Sequence, residues 1–213
     1  MRRKEFAIGS EDVQEVNAFL EEMSYGFLGT ARADGAPSIT PLNYIYLNGN
    51  VYFHGSRAGD KMALLGADPR VTFCVAKEYA IIPSHFTDPL MACPASAFFK
   101  SVIIEGTASV VEDLMEKGEA LQALMIKLQP EGGHLPIAGD DPAYRGRLKG
   151  VAVVKIEPQQ INAKFKFGQN ADEHKREAIT TGLLARGREL DAETVDLMRR
   201  YCPQHKEQAH PGD

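Results

Sequence analysis

Apolar and polar positions alternate strongly through the first half of this chain and give way to helical spacing in the second. Val13, Val16, Phe19, Leu20 and Met23 recur at helical intervals, and Ser10 with Glu11 and Asp12 supplies a start signal, so a helix is expected over about 10–24. Alternating and β-branched runs then predict strands at about 25–33, 37–47, 50–54, 69–79 and 97–112, and a final strong one over 150–157. Asp34-Gly35 and Asn48-Gly49 punctuate the first three as hairpin turns. Pro41 falls inside the second strand; lacking an N–H, it places Thr40-Pro41-Leu42 at a sheet edge or bulge.

Further helices are expected at about 58–66, 113–128, 171–186 and 191–201. The 113–128 segment carries Leu114, Leu121, Leu124, Met125 and Leu128 and reads as a helix covering the core. Residues 129–142, rich in Gly, Pro and Asp, read as a mobile loop or lid, and the tail after Pro203 as disordered. Five or six strands with hairpin turns, flanked by helices, fit a closed or split antiparallel barrel in a single domain over residues 1–203. Neither a Gly-x-Gly-x-x-Gly nor a Walker loop is present, so a dinucleotide-binding parallel sheet is not supported.

Chemistry concentrates at Val51–Lys61, where an aromatic strand runs into a small polar turn and then a helix. Ser56 offers a hydroxyl, Arg57 and Lys61 offer charge, and the first amides of the helix point toward the same place, a combination that suits a phosphate. An ordinary strand-to-helix connection with solvated charges is the competing reading. His54, ending the strand, reads on its own as a hydrogen-bonded structural histidine more readily than as a catalytic one.

These residues belong to an ordered series of segments. The series runs Gly26-Phe27-Leu28-Gly29-Thr30, Asp34-Gly35-Ala36-Pro37, Thr40 to Tyr44, Tyr52 to Ser56 with Lys61 beyond, Asp68 to Phe73, Ser101 to Ala108, and Ala163 to Asn170. Across roughly residues 5–185 the chain resembles the flavin-binding split barrels related to pyridoxamine 5'-phosphate oxidase, and within them the nitroimidazole-reductase-like branch. The resemblance implies a mainly β fold, a six-stranded antiparallel split barrel of Greek-key type with flanking helices, and FMN held at a homodimer interface. Thr40, Pro41 and Leu42 would border the flavin ring, Tyr44 would line the cleft, and His54, Gly55, Ser56 and Lys61 would surround the phosphate; in the nitroimidazole-reductase-like branch the histidine at this place lies close to the cofactor, so the resemblance implies acid–base or substrate contact for His54. Lys100 and Ser101 would join from the fifth strand, with Lys164, Lys166, Gln169 and Asn170 closing the site from the same chain or its partner.

The function implied is an FMN-dependent oxidoreductase that takes electrons from NAD(P)H or another donor and passes them to a small organic acceptor, nitroaromatic compounds included. A flavin- or haem-binding carrier, sensor or regulator without turnover is the alternative. Pyridoxamine phosphate oxidase activity itself fits less well, because the C-terminal Arg-Leu-x-Pro segment of that enzyme has no counterpart before Cys202-Pro203-Gln204-His205.

Composition narrows the partners. A formal charge of −5, with cations interspersed among carboxylates, argues against general nucleic-acid binding. The three cysteines are isolated and form neither a zinc motif nor a disulfide framework; Cys74 reads as a small apolar strand residue and Cys93 as the more reactive thiol. His85, His134 and His174 share no ligand spacing, and His205 and His210 lie in the tail. No apolar run is long enough to cross a bilayer and no leader pattern opens the chain, so a cytoplasmic protein is expected.

Overall fold

Helix α1, Val13–Glu22, turns Val16, Phe19 and Leu20 inward at helical spacing and leaves Val13 exposed. The computed structural model describes Phe6 and residues 12–202. The expected Ser10 and Glu11 start signal and the tail after Pro203 lie outside the described residues. What is described falls into two compact units, one within Ser10–Val75 and Val102–Asn162, the other within Met1–Gly9, Ala76–Ser101 and Ala163–Asp213.

The first unit is built on a sheet. The strands of the sheet are β1 (Tyr25–Ala31), β2 (Pro37–Asn43), β3 (Ile45–Leu47), β4 (Asn50–Gly55), β5 (Arg70–Ile82), β6 (Ser96–Val110) and β7 (Ala152–Lys166), in the order β2-β1-β5-β6-β7-β4-β3; residues 76–82, 96–101 and 163–166 of the last three in sequence are counted in the second unit. Seven strands appear where six were expected because the predicted 37–47 strand breaks at Tyr44. β2 pairs antiparallel with β1, from Ala31↔Pro37 to Tyr25↔Asn43, while β3 pairs antiparallel with β4, from Leu47↔Asn50 to Ile45↔Tyr52. The two ends of the sheet are therefore consecutive pieces of one segment, which closes the strands into a barrel.

Tyr44 makes that break. It is fully buried, its hydroxyl donates to the Leu20 carbonyl at 2.9 Å, its N–H donates to Ser24 O at 3.1 Å, and its ring meets Phe73 edge-on at 5.0 Å. The turns follow their chemistry. Asn48 and Gly49 both have positive φ, as a two-residue hairpin of this type requires, and Gly35 takes the left-handed position after Asp34. Pro41 stands on β2, an end strand of the sheet, where no ladder needs its N–H.

β7 runs to Lys166, well past the expected end at Glu157, and passes through Pro158. β4 pairs with it only from Gly55↔Ala152 to Val51↔Ile156, so Pro158 lies just beyond that ladder. Helix α2 spans Asp60–Ala67 and α3 spans Leu114–Leu128. Helix α4, Pro142–Gly150, was not expected; Asp141 caps it by accepting from Ala143 N–H at 2.8 Å, and Pro142 opens it. The stretch 129–142, expected to be a mobile loop or a lid, makes contacts of its own before α4 begins: Ile137 N–H donates to Gln122 Oε1 at 2.6 Å, Tyr144 Oη to Leu135 O at 2.6 Å, and Gly139 packs on the first turn of α3.

In the second unit, α5 (Glu173–Arg186) and α6 (Asp191–Arg200) are locked by Arg186, whose guanidinium donates to both oxygens of the buried Asp191 at 2.9 and 2.5 Å. The Arg186 pairing also holds the Asp191 carboxyl below its ordinary pKa. Phe167 stacks on Tyr201 at 5.3 Å and meets Tyr79 edge-on at 5.3 Å, which forms the local core.

Lys127 of α3 reaches across to α1, donating to the Leu20 and Met23 carbonyls beneath the Tyr44 ring. Burial pushes its pKa from 10.5 down to about 8. Between those values the unfolded chain binds the proton that the folded chain has released, so stability rises with pH from about 8. The opposite sign applies to Tyr44, Tyr46 and Tyr52, all raised above 10.0 chiefly by burial: once the unfolded chain ionises them, stability falls. Urea denaturation across this range should show a maximum near pH 10, and Lys127→Met should flatten the rising limb, to which Lys61 and Lys117, also lowered by burial, add; a monotonic fall in the wild type would overturn the assignment.

Candidate functional site

The corner between β4 and α2 is shaped by the loss of bulk after Phe53. Lys61 leaves the first turn of α2 and curls back over the strand end, its Nζ 4.9 Å from the Phe53 ring centroid. At Gly55 the same ammonium lies 3.2 Å from where a β-carbon would stand, so a larger residue there would push the ammonium aside by a few tenths of an ångström. Among the described residues no carboxylate pairs with Lys61, and burial holds its pKa below the usual lysine value. Ser56 Oγ accepts from Ala58 N–H at 3.2 Å, which shapes the turn and leaves its hydroxyl proton to donate.

Arg57 points elsewhere, into a solvent-exposed ion pair with Glu112 at 3.3 Å. His54 is exposed at the end of β4, yet partial burial first and the charge of Lys61 second lower its pKa and favour the neutral ring. The corner thus combines an unpaired ammonium, a hydroxyl, a neutral imidazole and the free first-turn amides of α2. Such a set can hold a phosphate and keep a neutral donor or acceptor beside it.

The proline-bearing segment divides by face. Pro41 is exposed, Thr40 half-buried and Leu42 buried. Tyr44, expected to line an open cleft, sits instead in the core, because its hydroxyl is satisfied by a backbone carbonyl and its ring by Phe73. The outward face of the same barrel carries Tyr25 and Phe27 on β1, Ile39 on β2, Ile103 on β6 and Ile161 on β7, all solvent-exposed, Ile39 by 63%. Tyr25 and Phe27 meet edge-on at 6.0 Å. Cys74, also on an outward position, is half-buried, and its thiol pKa is raised by burial; Cys93 is exposed and Cys202 buried.

The remaining expected residues belong to the second unit. Lys100 is nearly buried, its Nζ 5.0 Å from the Phe165 ring and 5.7 Å from Tyr79. Ser101 Oγ donates to Lys164 O at 3.5 Å, Lys164 lies over Phe6 and Phe99, and Lys166 donates to Ser96 Oγ. Gln169 is committed to the backbone: it accepts from Phe167 N–H at 2.7 Å and donates to Phe165 O at 2.6 Å around Gly168, whose φ is +78°. Asn170 is exposed.

Two features of the first unit were not anticipated. The face of α3 bearing Leu121, Leu124, Met125 and Leu128 lines a pocket with His54 and α4 as well as covering core. Lys117, 1% exposed, donates to Leu148 O and Val151 O at 3.2 Å each and so caps the C-terminal end of α4. Its spacing of three and seven from the buried Ala120 and Leu124 was the available signal. Among the described residues no cluster of histidine, cysteine and carboxylate could hold a metal, and no helix is long and apolar enough to cross a membrane.

Comparison with known proteins bears on this arrangement. Residues 12–165 match the family model for pyridoxamine 5'-phosphate oxidase. No curated protein sequence matches the chain. Among solved structures, a candidate 5-nitroimidazole antibiotic resistance protein from Bacteroides thetaiotaomicron is 24% identical, with a TM-score of 0.59 over 74% of this chain and 86% of that one. A flavocytochrome from Azotobacter vinelandii is 23% identical, with a TM-score of 0.64 over 83% of this chain and 77% of that one. An FAD- and haem-binding protein from Mycobacterium smegmatis is 15% identical, with a TM-score of 0.58 over 79% and 77%. At these identities the likeness is one of fold. The family match runs through β1 to β6 and nearly all of β7 and takes in the β4–α2 corner, and on that extent the chain belongs to the pyridoxamine 5'-phosphate oxidase family of split-barrel proteins.

Proposed function

We propose that this protein is a homodimeric FMN-dependent oxidoreductase that draws electrons from NAD(P)H or another donor and delivers them to a small organic acceptor, nitroaromatic compounds included. The observation that carries the reading is the Lys61 ammonium, without a carboxylate partner among the described residues, folded over Gly55 beside the Ser56 hydroxyl. A phosphate there would receive the charge-assisted hydrogen bonds this corner is built to give. A flavin so anchored supplies the electron transfer, and the protein's share is to bind, orient and exclude water. Thr40, Pro41 and Leu42 would border the ring from the edge strand. Lys100, Ser101, Lys164, Lys166 and Asn170 are proposed as further contacts from the second unit of the same chain or of its partner; Gln169 would act there by shaping the turn.

The dimer is supported by the exposed apolar stripe of Tyr25, Phe27, Ile39, Ile103 and Ile161, which a second subunit would cover. A flavin- or haem-binding protein without turnover is the second reading, favoured by the flavocytochrome and the FAD- and haem-binding protein among its structural neighbours.

An absorption spectrum of the purified protein, taken before and after adding FMN and desalting, tests the cofactor. Retained flavin bands that bleach with NAD(P)H and recover with an acceptor support the enzyme. A protein that rejects FMN overturns the reading, and a Soret band without flavin selects the alternative. If His54 exchanges a proton with the acceptor, His54→Ala should lower turnover by roughly 100-fold or more with FMN still bound. Loss of the fold would instead assign His54 a structural role.

A further inference from the structure

The stretch that joins α3 to β7 in the first unit is held by little apolar burial. Of the side chains in 129–150 only that of Leu148 is buried; Gly139 is buried too but has no side chain, and Leu135 is 68% exposed. Burying one leucine offsets the conformational entropy of only about two ordered residues, so the stretch depends on its other anchors. Those anchors are polar or backbone contacts, and all of them fall on α3. The Lys117 ammonium donates to Leu148 O and Val151 O at 3.2 Å each, Gly139 lies against the backbone of Leu114 and Met115, and Ile137 N–H donates to Gln122 Oε1 at 2.6 Å. The Tyr144 bond to Leu135 O joins two residues of the stretch itself and holds it together as a piece.

The seam beneath the stretch is the second observation. A space of about 250 Å3 lies there, lined by Leu121, Leu124, Met125 and Leu128 of α3 and by Ile137 and Leu148 of the stretch. Close packing is what ties interior elements to one another, and a seam with such a gap forfeits much of that attraction. At the start of the stretch Gly132 and Gly133 have φ of +74° and +89°, and nothing stands within 4 Å of where a β-carbon on Gly132 would be. The chain therefore has open space in which to turn there. Segments with few buried apolar contacts open in cooperative units below the free energy of global unfolding.

We infer that residues 134–150 form a lid that opens as one unit from the apolar face of α3, turning at Gly132-Gly133 and latched by the buried Lys117. Opening uncovers Leu121, Leu124, Met125 and Leu128 and hydrates the Lys117 ammonium, which is 1% exposed when the lid is shut. The contacts of the stretch itself carry this inference, and it does not depend on FMN being bound.

Amide hydrogen exchange of the full-length protein as isolated tests it. The hydrogen-bonded amides of Ile137, Tyr144 and Arg145 should exchange at one common rate, about 100-fold or more faster than the paired amides of β1 and β4. Lys117→Met, which keeps an apolar stem and removes the latch, should speed the lid amides by a further tenfold or so and leave β1 and β4 unchanged. The same variant should bind the apolar dye anilinonaphthalene sulfonate more strongly than the wild type, because the α3 face is uncovered more often. If Lys117→Met fails to fold, Gln122→Ala makes the same test by removing the acceptor for Ile137 N–H. Lid amides as slow as those of the barrel, separate rates at the three positions, or variants that leave the lid unchanged or speed the barrel equally would overturn the proposal.

Discussion

Lys61→Ala should weaken FMN binding by about 1.5–3 kcal/mol, roughly 10- to 150-fold, while leaving the barrel folded. The size follows from what surrounds the ammonium. Partial burial has already removed some of its water, and among the described residues no carboxylate compensates it, so its strongest available partner is an incoming anion. Removal of a cation that is partly desolvated before the ligand arrives costs more than removal of a freely hydrated one, because the ligand then loses a pre-oriented donor. Ser56→Ala should have a smaller effect, about 1 kcal/mol, because its oxygen is partly engaged with Ala58 N–H. Arg57→Ala should change little, since its guanidinium pairs with Glu112 on the surface. Fluorescence titration of the three variants with FMN checks the order. Unchanged affinity in both Lys61→Ala and Ser56→Ala would remove the phosphate site from this corner.

The second large effect is expected on stability. A β-carbon on Gly139 would stand 2.2 Å from the Leu114 carbonyl oxygen and 2.6 Å from Met115 Cα, and one on Gly118 would stand 2.7 Å from Gly139 N. Loop and helix therefore touch backbone to backbone, with nothing flexible to give way. Gly139→Ala should cost about 3 kcal/mol, the upper end for overpacking, and should loosen the Ile137 to Gln122 hydrogen bond that follows from this contact. Gly146→Ala is the control: it lies exposed in α4 with nothing within 4 Å, and alanine there should stabilise by about 0.5–1 kcal/mol. Urea denaturation midpoints distinguish the two, and a Gly139→Ala protein as stable as the wild type would contradict the packing described for residues 129–141.

Much of the barrel was legible because local chemistry and global fold agree. Asp34-Gly35 and Asn48-Gly49 can hardly be anything but tight turns between alternating runs, and Pro41 announced its edge position. The β4–α2 corner was legible for the same reason, as its residues are close in sequence. What escaped was set by tertiary partners. Tyr44 looks like any strand aromatic, and it is partners distant in the fold, the Leu20 and Ser24 carbonyls and the Phe73 ring, that turn it inward and split the strand. The last strand runs past its expected end at Glu157, and the proline that follows stands beyond the β4 ladder, which has already ended at Val51↔Ile156. Helix α4 carried a readable start, Asp141 followed by Pro142, hidden within a stretch whose Gly, Pro and Asp content read as loop. The pocket beside His54 could not be read locally, since His54 precedes the other lining residues, which fall within 121–151, by more than sixty positions.

The segment from Pro37 to Leu47 supplies both ends of the sheet, and that fixes its length. Its first part is held in register by Tyr25↔Asn43 and its last by Ile45↔Tyr52, with Tyr44 alone between them. Adding or deleting one residue here would turn one half of the segment inside out, because alternate strand positions face opposite sides. Loops between other elements of a barrel can drift in length as sequences diverge; this one cannot. Homologous chains that keep the barrel should therefore conserve the number of residues between the two hairpin turns even where they conserve none of their identities.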